Sequence, residues 1–447
     1  MVLVCTLGLV SVGHAQIGGG IGGGLGGGIP GTAFGGANDP SIVPITEGFR
    51  IIPSIAVAER YDSNVFFRAK SPGLLDRSDY VTSVAPQIRG LYSGEAMRVN
   101  ATVGANAEYY AKNPDFNYVG SNAGLLLDLS PTLGRLWDGM TFTVVDRFRY
   151  TPQPPSFLVG DHEGDTSNPL QTGQQVGRVN STSNTVGANV RAPLTQTLSL
   201  TGGYSYGLLR FGSSQVQQAG ALLDSSFQTF TVGMLMKLSP QDFVTLNAID
   251  SEFRYTQGVG SFSSRGGLIG WTHAFSPAVT LVSSAGATVV EGQSSGPGAQ
   301  GSQGQSSGPS TVRSIVTPRG YVGLTWRDRT TSLTMAYGLQ VSQSYQFGAQ
   351  PLLANTVMFS MTQLTPIPQL VGVASVNYGR ANAIGQESVN AVSYTSYAAG
   401  GGIVYKFTPQ TFLNLYYQYA NYDNQFGATT NSFDRHIVFI SIAQAFY

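Results

Sequence analysis

From about residue 50 to the end, side chains of unlike character alternate along the chain. That is the period of a β-strand whose two faces meet different surroundings. In 97–109, Met97, Val99, Ala101, Val103, Ala105, Ala107 and Tyr109 oppose Arg98, Asn100, Thr102, Gly104, Asn106 and Glu108. Leu198, Leu200, Tyr204, Tyr206 and Leu208 oppose Ser199, Thr201, Gly203, Ser205 and Gly207. Leu333, Met335, Tyr337, Leu339 and Val341 oppose Ser332, Thr334, Gly338, Gln340 and Ser342, and Phe230, Val232, Met234, Met236 and Leu238 oppose Thr231, Gly233 and Lys237. Helical and heptad periods are absent.

These segments run to about 11–15 residues, against about 5–6 for strands of soluble proteins. Their polar face is made of small residues and amides rather than the Lys and Glu of a water-facing exterior. A greasy outer wall around a wet interior explains both features, and the pattern predicts a closed antiparallel transmembrane β-barrel. Short turns recur at Ser130-Pro131, Ala192-Pro193, Ser239-Pro240-Gln241-Asp242, Ser276-Pro277, Arg327-Asp328-Arg329, Thr365-Pro366 and Thr408-Pro409-Gln410. They alternate with longer polar loops at 152–174, 212–222, 292–310, 381–388 and 424–431. The count is about 16–18 strands, with the short turns facing the periplasm. Alternation slips in 50–91 and 243–270, and Asp146 interrupts the apolar face of Met140, Phe142, Val144 and Phe148, which calls for a bulge or an interfacial position there.

Composition supports the same class. Charged residues make up 11% of the 447-residue chain, against about 25% in soluble domains, while mean hydropathy is only +0.02. After residue 15 no run of 18 apolar residues occurs, which speaks against membrane-spanning helices. The 24 basic and 24 acidic side chains balance, so no nucleic-acid partner is implied. The expected partners are outer-membrane lipid and lipopolysaccharide.

Residues 2–12 are apolar and lead to Gly13-His14-Ala15, which suits signal-peptide cleavage after residue 15. No Lys or Arg precedes them, so the true start is expected upstream. Residues 16–48, with the tract IGGGIGGGLGGG from Ile17, read as a flexible Gly/Pro-rich periplasmic tail, leaving 49–447 for the barrel. The single cysteine, Cys5, lies in the leader.

Arg98, Glu108, Arg147, Arg149, Arg191, Lys237, Arg254 and Arg327 fall on faces read as luminal, because a cation turned to lipid at mid-depth costs about 2–4 kcal/mol. This mostly basic set has two readings: ordinary solvation or cross-strand pairing in a wet lumen, and a preference for anionic solutes. Tyr109, Tyr204, Tyr417 and Tyr419 read as interfacial girdles. His162, His273 and His436 are not placed beside a serine with an orienting acid, no Cys/His metal spacing occurs, and neither an enzyme nor a cofactor is expected.

At the end of the first strand the chain reads Arg60-Tyr61-Asp62-Ser63-Asn64-Val65-Phe66. This resembles the opening strand of a family of outer-membrane β-barrel porins associated with bacterial exopolysaccharide gene clusters. The leader, the low charge and the even hairpin series are similar too. The terminal Phe446-Tyr447 resembles the signal read by barrel-assembly machinery. Membership would imply an outer-membrane barrel linked to polysaccharide export and its components, with no catalytic residues to carry over. From the residues themselves, Asp62 and Asn64 shape a turn or contact a ligand. The expected function is a channel for hydrophilic solutes. The alternatives are a structural or docking barrel binding periplasmic partners, an outer-membrane hydrolase, and a soluble secreted β-protein.

Overall fold

The computed structural model describes residues 48–67, 69, 77–152, 179–214, 223–256, 260–294, 313–343, 351–384, 392–426 and 429–446. The leader, nearly all of the tail and all but the first residue of the 152–174 loop, with His162, lie outside them. So do Tyr447 and most of the 212–222, 292–310 and 381–388 loops.

Eighteen strands run in chain order. They are β1 (Gly48–Asp62), β2 (Asp79–Ser93), β3 (Arg98–Tyr110), β4 (Tyr118–Asp128), β5 (Thr141–Thr151) and β6 (Val179–Pro193). Next come β7 (Leu198–Ser214), β8 (Ser225–Lys237), β9 (Asp242–Tyr255), β10 (Gly260–Ser276), β11 (Val279–Ser294) and β12 (Arg313–Arg327). The last six are β13 (Thr331–Gln343), β14 (Pro351–Leu364), β15 (Leu370–Ala383), β16 (Val392–Thr408), β17 (Thr411–Phe426) and β18 (Thr429–Ala445). Each pairs antiparallel with its chain neighbours, and β1 closes on β18 from Ser54↔Ala445 to Asp62↔Ile437. Closure leaves no open edge, so strand amides are satisfied within the wall, as hydrocarbon surroundings require.

The connections sort only in part by length. β2–β3, β6–β7, β8–β9, β10–β11, β12–β13 and β16–β17 turn within four residues or fewer at one end, but β9–β10 and β17–β18 are joined as closely at the other. The long loop expected at 424–431 is a correction, since β17 runs to Phe426 and β18 starts at Thr429. Ser239 shows how a tight turn is made: its hydroxyl accepts from the amides of Gln241 and Asp242, closing the turn that Pro240 starts. The expected tight turn at Ser130-Pro131 is instead a short helix, α1 (Ser130–Leu136), with Pro131 in its first turn, where a missing N–H costs nothing. Residue 48, assigned to the tail by sequence, is the first residue of β1.

No bulge occurs at Asp146: β5 pairs without a register shift on both sides. Its carboxylate stays on the outer face and accepts from Asn184 Nδ2 at 3.2 Å. Shifts occur at Ala274/Ser276, Lys406/Thr408 and Val179/Ser181, near strand ends.

Candidate functional site

Register propagates one face around the ring. Leu333, Met335 and Leu339 lie beside Trp326, Leu324 and Gly320, on the face where Trp326 and Met335 are exposed. Ser332, Thr334 and Gln340 take the other face. Aliphatic side chains such as Val103, Leu125, Val232, Leu246, Ile269 and Ile403 are exposed in the middle of the outer wall. Phe49, Phe275, Trp326, Phe407 and Phe446 are exposed within one residue of strand ends on the short-turn side. Tyr80, Tyr109, Tyr206 and Tyr397 are exposed towards the other side. Tyr204, Tyr417 and Tyr419 share that outer face. An apolar band between two aromatic rings is the profile of a wall facing lipid.

Inward, the long-loop mouth is partly filled by the segment after β1. Asp62 is 1% exposed, and Arg435 of β18 donates to it through Nε at 3.0 Å. The Asn64 amide donates to Asp62 Oδ1 at 3.0 Å, a side-chain-capped turn, while Asn64 Nδ2 reaches the Asp434 carbonyl. Ser63 and His436 exchange contacts: the Ser63 amide donates to the His436 carbonyl, and Ser63 Oγ accepts from the His436 amide. Phe67, with a positive φ of 53°, is 2% exposed and lies 4.4 Å from the Arg435 guanidinium, a cation–π contact. Tyr61 faces outward beside Tyr80. The family-like motif thus folds a loop against the inner wall. Beside it, Arg60 donates to both oxygens of Glu108, at 3.3 and 3.1 Å, across the intervening β2, and the Tyr110 hydroxyl donates to the same carboxylate at 2.6 Å.

Seven of the eight expected luminal charges face inward by register. Glu108 is in the pair just described. Arg98 stands 3.8 Å from Asp128, Arg191 donates to Ser199 Oγ, and Lys237 and Arg327 end their strands at the short-turn mouth. Arg147 and Arg149 pair with Gly124 and Asn122 on β5's inner face. Arg254 is a correction. It shares the outer face with Leu246, Asp250 and Glu252 and donates to Glu252 at 2.7 Å. The reason is that the usual sorting inverts above the lipid band on β8–β11. There the outer face carries Asp250, Glu252, Arg254, Arg265 and Glu291, while Leu223, Phe253, Tyr255, Phe262 and Val290 form an apolar cluster inside.

Sequence reasoning missed inward-facing Arg50, Arg60, Arg89, Arg319, Lys406 and Arg435. A strict two-residue parity carried through β1 and β18 would have found Arg60 and Arg435. Arg319 pairs with Gly286. Several buried inward polar atoms have no partner among the described residues: Asn106 Oδ1, Asn247 Nδ2, Ser264 Oγ, Tyr321 OH, Asn377 Oδ1 and Gln418 Oε1. Buried polar groups take hydrogen bonds from somewhere, and in a barrel interior water or a polar solute supplies them.

His273 contacts Asp242 Oδ1 at 2.7 Å, and the Trp271 indole donates to the same oxygen at 3.0 Å, all on the outer face. His436 contacts the Tyr417 hydroxyl at 3.0 Å, also on the outer face. No group of three metal-ligating side chains stands together among the described residues.

No protein-family model and no curated protein matches the chain. Crystal structures of Pseudomonas aeruginosa OpdQ and OccK9 (OpdG) align over 89% of this chain and 98% of theirs, at 10% and 11% identity and TM-scores of 0.42 and 0.45. Acinetobacter baumannii OccAB4 aligns over 90% of this chain and 99% of its own, at 10% identity and a TM-score of 0.39. At these scores the likeness adds nothing to the architecture read from the strand pairing itself.

Proposed function

We propose that the chain is an outer-membrane channel through which hydrophilic solutes pass without chemical change. The radial sorting of side chains carries this reading: an apolar, aromatic-girdled outer wall encloses a face of hydroxyls, amides and cations. Closed barrels of about 16–18 strands are wide enough to leave an aqueous path between the side chains of opposite walls. Lipid and lipopolysaccharide are the surroundings such a wall needs, and Phe446, exposed beyond β18, suits recognition by assembly machinery. A signal peptide in 1–15 and a periplasmic tail in 16–47 belong to the same proposal.

Export of exopolysaccharide rests on the resemblance at Tyr61–Phe66 alone. The contacts of Asp62, Ser63 and Asn64 account for that motif by turn formation and loop anchoring. The genes beside this one test the association. For the channel itself, purified folded protein is placed in planar bilayers, and discrete conductance steps are the expected outcome. Persistent silence across voltages and salts overturns the reading.

A further inference from the structure

The inward cations are not spread evenly along the barrel axis. Arg50, Arg98, Arg191, Lys237, Arg327 and Lys406 stand on β1, β3, β6, β8, β12 and β16, each within two residues of its strand's short-turn end. Inward orientation follows from register: Arg50 lies beside buried Leu91, Arg98 beside Asp128, Arg191 beside Thr141, Lys237 beside Phe243, Arg327 beside Ser332 and Lys406 beside Phe412. All but Arg191 are exposed. Five described acids lie near this mouth. Asp128 stands 3.8 Å from Arg98 of the ring itself, Glu95 pairs with Arg135 of α1, and Asp242 faces outward to Trp271 and His273. Asp328 in the turn after Arg327 accepts from the Arg329 amide, and Asp138 is exposed in the turn after α1.

The far mouth is built differently. Two of its inward cations, Arg60 and Arg435, are matched one to one by Glu108 and Asp62 in buried pairs, and a third, Arg149 near the end of β5, is half-buried. Among the described residues the exposed inward cations of the strands are therefore those of the short-turn mouth, where a permeating ion meets solvated positive charge. Rings of like charge at a pore entrance raise the local concentration of the opposite ion and set selectivity.

We propose that these six residues are the anion-selecting element of the channel, favouring chloride over potassium. This rests on the channel reading above, and the experiment separates the two. Bilayer recordings across a KCl gradient read the reversal potential of the wild type and of the combined variant Lys237→Gln, Arg327→Gln, Lys406→Gln. None of these three has a carboxylate partner among the described residues. The wild type is expected to favour chloride at about 0.1 M salt and to lose most of that preference near 1 M, where the Debye length falls from about 10 Å to about 3 Å. The variant is expected to conduct with its chloride preference at least about halved. Arg254→Gln with Arg265→Gln, removing cations from the outer face, should leave the reversal potential where it was. A conducting wild type with no anion preference at 0.1 M, or a conducting triple variant with the preference intact, overturns the ring and leaves the channel standing. Absence of conductance in the wild type overturns both. Should the triple variant fail to fold, Arg327→Gln alone and the wild type's salt dependence decide the matter.

Discussion

Asp62 and Arg435 show how much one buried pair is asked to hold. Their side chains are 1% and 9% exposed, and the loop after β1 hangs on them. Arg435→Met strands a buried carboxylate and is expected to lower stability by about 3–5 kcal/mol. The double variant Asp62→Asn, Arg435→Met should recover much of the loss. The temperature at which heat-modified protein changes its mobility on a gel measures both, and a single variant as stable as the wild type would remove the latch. Asp146 is a milder case. It sits on a lipid-facing wall with one amide partner, Asn184, and nothing else in the structure explains why a carboxylate stands there.

At the scale of strands, the position of a charge along the axis decides what it costs. Arg254 and Glu252 stand on the outer wall above the apolar band, so Arg254→Leu should change stability by no more than about 0.5 kcal/mol. Ile269→Arg, inside the band, should cost about 2–4 kcal/mol. Urea titration of folding into lipid vesicles reads both. Equal costs would mean that the band is misplaced. Backbone approach makes a second test. A Cβ on Gly286 would lie 1.9 Å from the Gly267 carbonyl oxygen, and one on Gly266 would lie 2.1 Å from that of Ala287. Gly286→Ala should therefore force β10 and β11 apart, at about 1–3 kcal/mol by the same titration. These strands also mark the limit of what sequence discloses. Two-residue alternation located the strands to within a few residues, because side-chain parity follows from backbone geometry alone. It misassigned Arg254, because parity says which side chains share a face, and only the height of the lipid band says which face is wet. The helix at Ser130–Leu136 escaped for a related reason: Ser-Pro opens a tight turn and a helix alike.

For the whole molecule, a formal net charge of +0 conceals a radial separation. The inner wall is predominantly basic, while Glu59, Asp146, Asp242, Asp250, Glu252 and Glu291 all lie on the outer one. Separation of cell envelopes tests the setting in which this arrangement functions: the protein should sediment with the outer membrane and resist extraction by carbonate. Recovery in the soluble periplasm would end the transmembrane reading.

The apolar residues gathered inside the long-loop half occupy particular arcs of the wall: Phe253, Phe262 and Val290 on one, Phe67, Tyr422 and Phe433 on another, Leu352, Ala381 and Tyr394 between them. The arc of β5 to β7 is lined instead by Arg147, Arg149, Ser183 and Thr185. On the proposed channel reading, the polar path therefore hugs one flank rather than following the axis. Since Cys5 is the chain's sole thiol, a cysteine placed at Ser183 on β6 should react with a small charged alkylating agent well before one placed at buried Ser251 on β9, three strands further round the wall.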